Sequence, residues 1–174
     1  MSQEDMKVRT ATTADFRLLE LPYDGDRIRM VFLLPVQRNG LRAVEEALTS
    51  KRLREALAQL ESCELSVVLP RFKFRQSCKL KDQLTKLGMP KAFSEGDADF
   101  SGLTKAAILC INDVIHEACI EVDEKGTVAA AATAVVMKAE GASLPFALDE
   151  PFLFLLYDSL TDTILFLGRV ADPR

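Results

Sequence analysis

Acid–base catalysis by this chain would have to run through His116, because the sequence holds one histidine. A Ser-His-Asp or Cys-His nucleophile site has no other base to draw on. His116 stands in a run where Val114, His116, Ala118, Ile120 and Val122 alternate with Glu117, Cys119, Glu121 and Asp123. That is the period-two signature of a strand with one buried face, and it puts the imidazole on the apolar side, as a hydrogen-bonded core histidine. The carboxylate pairs Glu45-Glu46 and Asp123-Glu124 are adjacent in sequence and show no partner that would perturb them, so a hydrolase pair is not expected. Cys63, Cys78, Cys110 and Cys119 lack CxxC spacing and have one histidine for company, which supports neither zinc nor a dithiol redox motif. Each lies in or beside an apolar run and reads as a reduced thiol acting as a small buried hydrophobe. No catalytic residue, metal or other cofactor is expected.

The elements that would position any site are mostly strands. Phe16 to Tyr23 and Arg27 to Leu34 read as two strands joined by Asp24-Gly25-Asp26, with Ile28, Met30, Phe32 and Leu34 on one face. Leu41, Val44, Ala47 and Leu48, then Leu53, Leu57 and Leu60, fall at helical spacing, and Thr49 or Ser50 is placed to cap the second helix. Alternation returns through Cys63, Leu65, Val67 and Leu69. Pro70 interrupts it before Phe72 and Phe74, as when one run serves two strands or ends at a sheet edge. A third short helix, about Lys79 to Leu87, stops at Gly88 with Pro90 beyond. The runs Phe152 to Tyr157 and Thr163 to Val170 read as buried neighbours in a sheet, separated by a turn at Asp158 to Asp162.

The length and an apolar content near half suit one compact domain, with 10 Phe and no Trp supplying bulk. Lys and Arg number 22 against 26 Asp and Glu, and a net charge of -4 gives no general attraction to nucleic acid or anionic membrane. The longest apolar stretch, around Pro151 to Tyr157, is too short to span a bilayer. The first residues, MSQEDMKVRT, carry no hydrophobic signal region.

Between the strand ending near Asp123 and the run starting at Phe152 lies EKGTVAAAATAVVMKAEGASLPFALDEP. Thr127 to Ala134 are Thr, Val, Ala, Ala, Ala, Ala, Thr and Ala, small enough to pass between strands already packed in a sheet. Alanine is also the best helix former, so a surface helix is the competing reading. Against a helix, the run has no apolar stripe of period 3.6, and Val135 and Val136 favour extended chain. DEKGTVAAAATAVVM followed by EPFLFLLYDSLTDTILFLGRVADP resembles the hinge, reactive loop and C-terminal strands of the serpin family. LPYDGDRIRMVFLLP, LPRFKF, LGMPKAFSEGDADFSGLT and VIHEACIEVDEKGT resemble further segments of that family in the same order. The resemblance covers nearly the whole chain and only the C-terminal half of a complete serpin.

It implies an α+β fold: the β-rich C-terminal half of a serpin domain over 1–174, with strands from several sheets, about three short helices and an exposed reactive loop at 124–145. It also implies serine protease inhibition as a suicide substrate, in which the attacked loop inserts into a sheet and traps the acyl-enzyme; a non-inhibitory binding or carrier module is the alternative. The hinge would be Glu124, Lys125, Gly126, Thr127, Val128, Ala129, Ala130, Ala131 and Ala132, where Gly126 lacks the Cβ that would hinder a change of backbone angles. Val128 stands where the family often has Glu. Family spacing from Glu124 puts the reactive bond at Glu140-Gly141, favouring a Glu-selective serine protease; Lys138 is the alternative, for a trypsin-like one, and Met137 a third choice. His116 matches the family's shutter histidine, and Arg71 with Glu124 matches an ion pair at the top of the central sheet. An N-terminal half is the implied partner, self-association the alternative. The resemblance points to the extracellular space, with the cytoplasm as alternative.

Overall fold

The computed structural model describes residues 2–123 and 145–173, with side chains from residue 6 onward. The chain forms two compact units, residues 1–72 with 122–174 and residues 73–121, where composition alone suggested one body.

In the first unit, seven strands among the described residues make one sheet. They are β1 (Ser2–Thr12), β2 (Phe16–Pro22), β3 (Ile28–Pro35), β4 (Glu61–Val68), β7 (Phe146–Ala147), β8 (Phe152–Asp158) and β9 (Thr163–Val170). Their order is β7-β4-β1-β2-β3-β8-β9. The β2–β3 hairpin closes through Asp24-Gly25-Asp26 as expected. Gly25 has φ +82° and Asp26 +55°, and the Tyr23 amide donates to the Ile28 carbonyl at 2.9 Å.

β3 and β8 are apolar at almost every position, and β2 at all but Arg17 and Glu20, because both faces of the sheet are covered there. On one face α1 (Leu41–Ala47) and α2 (Ser50–Ala58) bury Leu41, Val44, Leu53 and Ala56 against Leu18, Val31, Leu33, Leu153 and Leu155. Thr49 caps α2 through its hydroxyl, which accepts from the Arg52 amide at 3.2 Å. On the other face, the Phe72 and Phe152 rings meet at 6.0 Å and the Phe72 and Phe154 rings at 5.2 Å.

A charge is built into the helix-bearing face. The Glu20 carboxylate is 1% exposed. Its Oε1 accepts from Arg9 and Arg29 Nη1, each at 2.7 Å, and its Oε2 accepts from the Tyr157 hydroxyl at 2.7 Å. Burial and the adjoining Glu20 carboxylate push the Tyr157 phenol well above its ordinary value.

β9 departs from expectation. It neighbours β8, but Ile164, Leu165 and Leu167 are exposed, Leu167 by 60%. A dense apolar run announces burial, yet β9 is the end strand of this sheet. A cavity of about 390 Å³ lies beside it, lined by Leu48, Leu57, Leu155, Tyr157, Ile164 and Leu167 among others.

The second unit holds β5 (Phe72–Lys79) and β6 (Ile115–Val122), paired as a two-stranded sheet whose Phe72 and Val122 ends belong to the first unit. It also holds α3 (Lys81–Lys86) and a 3-10 turn at Lys91–Phe93. α3 is shorter than the expected Lys79 to Leu87 and is followed by Gly88 at φ +103°.

Candidate functional site: the segment after β6 and its anchors

The segment expected to act as a loop is joined to a strand on each side. β6 shows the expected alternation over its second half: Ala118 and Ile120 are half-buried and Val122 is buried, while Glu117, Cys119 and Glu121 are exposed. Burial of Val122 fixes the end of β6 two residues before Glu124.

On the far side, β7 pairs parallel to β4, with Phe146 opposite Val67 and Ala147 opposite Val68, and the Leu148 amide donates to the Val68 carbonyl at 2.9 Å. A two-residue strand has little backbone pairing, so its side chains carry much of the attachment. Phe146 and Leu148 are buried, and the Arg17 guanidinium sits 4.9 Å from the centroid of the Phe146 ring, a cation–π contact. Sequence reading assigned no role to Phe146, Leu148 or Arg17. The apolar triplet within LPFAL was the available signal, but two paired residues are too few to show a period.

The hinge positions Glu124, Lys125, Gly126, Thr127, Val128, Ala129, Ala130, Ala131 and Ala132 lie outside the described residues, as do Lys138, Glu140 and Gly141. Arg71 is exposed immediately before the buried Phe72, and Glu124, its expected partner, lies outside the description. His116 corrects an expectation. It is exposed on β6, between Ile115 and Glu117, and is not a core residue. Alternation placed it on the apolar face, but in this strand pair that face is covered only toward Val122. The cysteines are free, as expected, but not buried: Cys119 is exposed, and Cys63, Cys78 and Cys110 are half-buried. Among the described residues no cluster of His, Cys, Asp or Glu could hold a metal, and no helix is long and apolar enough to cross a membrane.

Comparison with known proteins gives the same family throughout. The family model described as Serpin (serine protease inhibitor) matches residues 1–173. The chain is 42% identical over 161 residues to Serpin B6 of Macaca fascicularis, covering 90% of this chain and 43% of the relative. It is 41% identical over 159 residues to intracellular coagulation inhibitor 2 of Tachypleus tridentatus, covering 90% of this chain and 39% of the relative. Among solved structures, uncleaved ovalbumin is similar with a TM-score of 0.81 at 30% identity, covering 99% of this chain and 44% of that one. Native protease nexin-1 with heparin is similar with a TM-score of 0.79 at 27% identity, covering 99% and 46%. The chain spans less than half the length of these relatives. With its strands, helices and nearly all its sequence matched, the chain belongs to the serpin family of serine protease inhibitors.

Proposed function

We propose that this chain carries the protease-facing part of a serine protease inhibitor that works as a suicide substrate. The observation that carries the reading is the attachment at both ends: β6 enters the segment at buried Val122, and β7 receives it on the edge of the seven-stranded sheet. A target protease would attack at Glu140-Gly141, with Lys138 as the alternative primary residue. Hinge residues Glu124 to Ala132 would then enter a sheet as a new strand while the protease remains an acyl-enzyme. Serpin loop insertion is an established instance of strand addition and of the release of stored strain. Newly paired backbone groups and burial of alternate small side chains such as Val128, Ala130 and Ala132 would drive it. Arg71 with Glu124 would steady the loop base, and His116 would hydrogen-bond within the closed sheet. The extracellular space is the compartment the resemblance favours; a relative named as intracellular supports the cytoplasm as the alternative.

The alternative reading is a non-inhibitory binding or carrier module; the chain spans 43% of the length of Serpin B6. The test is to mix the purified chain with a Glu-selective and, separately, a Lys-selective serine protease, and to read products by denaturing gel and intact mass. A covalent adduct, with a released peptide starting at Gly141 or at Ala139, supports inhibition and locates the bond. Cleavage that leaves the protease free and active sinks trapping by this chain.

A further inference from the structure

The strand β8 repeats itself. Phe152, Leu153, Phe154 and Leu155 read Phe-Leu-Phe-Leu, so sliding the strand by two residues along β3 lays phenylalanine where phenylalanine stood and leucine where leucine stood. A slip of one residue would turn every side chain to the other face, but a slip of two keeps both faces. Leu153 and Leu155 belong to the helix-covered core, and Phe152 and Phe154 meet Phe72 on the opposite face. Apolar packing therefore fixes which way β8 faces. It discriminates poorly between the observed pairing, in which Phe32 stands opposite Phe154, and the pairings two residues away. The β8–β9 pairing adds little, because β9 travels with β8 when the two slide together along β3.

The end of β8 breaks the repeat. Tyr157 and Asp158 are both buried, and each meets a group that another strand holds in place. Tyr157 stands opposite Arg29, and its hydroxyl donates to Glu20 Oε2 at 2.7 Å. Asp158 accepts from Arg27 Nε and Nη2 at 2.9 and 2.5 Å, and the Ser159 amide and hydroxyl donate to the Arg27 carbonyl at 2.9 and 2.8 Å. Sliding β8 until Leu155 takes the place of Tyr157 leaves the buried Glu20 carboxylate without its phenol donor and takes Asp158 from Arg27. Sliding it the other way puts Asp158 opposite the fully buried Met30, and the Tyr157 hydroxyl opposite Val31 in the leucine core. Both slips strip buried polar groups of their partners, which is strongly disfavoured.

We infer that Tyr157 and Asp158, received by Glu20 and Arg27, form a polar key that sets the register of β8 on β3, a choice the apolar residues of the strand leave open. Setting register is the best-attested use of buried polar groups. Only Leu148, Asp149, Glu150 and Pro151 separate β7 from β8, so the key also sets how far the chain must reach between those strands.

The test is NMR of the full chain, reading cross-strand backbone NOEs, since directly opposed residues of antiparallel strands bring their Cα atoms to about 4.5–5.5 Å. The unaltered chain should show Phe32 against Phe154 alone. The double variant Tyr157→Phe with Asp158→Leu should gain a second set of contacts shifted by two residues, Phe32 with Phe152 or Phe32 with Leu156. Moving the key two residues back, with Leu155→Tyr, Leu156→Asp, Tyr157→Leu and Asp158→Leu together, should shift the pairing to Phe32 with Phe152, so that the transplanted hydroxyl again meets Glu20. A purely stabilising role for these groups would not move the register. A double variant that folds with Phe32 against Phe154 alone overturns the inference, whatever stability it has lost. If the double variant does not fold, the transplanted chain decides: Phe32 still against Phe154, or no ordered β8, overturns it as well.

Discussion

Replacing Glu20 by alanine should remove a large part of the stability of the first unit. The carboxylate is buried and answers three donors, so its loss strands two guanidinium groups and a phenol. Deleting one partner of a buried ion pair costs about 3–5 kcal/mol, and an orphaned buried hydroxyl about 1–3 kcal/mol. Those figures are not simply summed. Arg9 is partly exposed and keeps the Leu60 carbonyl at 3.2 Å, and Arg29 keeps Asp26 at 3.2 Å, so both retain partial compensation. A net loss of about 3–4 kcal/mol follows, a large share of the total stability of a typical domain. Urea unfolding followed by tyrosine emission suits the test, because both tyrosines, Tyr23 and Tyr157, lie in this unit. Glu20→Gln should cost less, since its amide oxygen can still accept from Tyr157 or one arginine. Glu20→Leu combined with Arg29→Met should lose less than the sum of the two single changes, as expected when partners in one network go together. A loss below about 1 kcal/mol for Glu20→Ala, or strict additivity in the double variant, would refute the idea that these groups stabilise one another.

Three other outcomes are expected. Asp158 accepts from Arg27 Nε and Nη2 at 2.9 and 2.5 Å, and these hydrogen bonds bring its carboxyl pKa down to about 2. Because the folded value is depressed, this stabilisation is present above the ordinary carboxyl range and is lost as pH falls through it toward 2; an NMR titration should show the low value, and Arg27→Met should raise it. Gly168→Ala puts a Cβ 2.5 Å from Phe154 Cζ across the β8–β9 pair, an overpacking that should cost about 1–3 kcal/mol by thermal unfolding. Thr49→Ala removes the α2 cap and should cost about 1 kcal/mol, with Thr49→Ser restoring most of it.

Local signals with a strong period or a turn residue were legible in the sequence. The β2–β3 hairpin, the helices α1 and α2 with the Thr49 cap on the second, the break at Pro70 that sends β4 and β5 to different sheets, and the β8–β9 pair were all readable that way. β1 was not, because SQEDMKVRTAT is charged and its place comes from β2 and β4 on either side. His116, Cys119 and Ile164 show the other limit. Periodicity tells which residues share a face, but not what covers that face, and an end strand or a two-stranded sheet leaves apolar residues open. The Glu20 network was equally hidden, since its partners Arg9, Arg29 and Tyr157 are brought together by strand register and not by sequence spacing. Of the candidate site, β6 was read beforehand, while Phe146 and Leu148 took their meaning from pairing with β4.

The position of β8 sets an order of events during synthesis. β8 is an interior strand, between β3 and β9, yet it is made long after β3, and Phe154 pairs with Phe32 across a wide stretch of sequence. Until the ribosome has delivered residues 152–158, the apolar edge of β3 has no neighbour on that side. Contacts this distant in sequence are slow to form, so the newborn chain must keep that edge from other chains throughout the interval between the making of β3 and of β8. The segment after β6 emerges just before β8, so the bait expected there would be complete before the sheet that anchors its far end has closed.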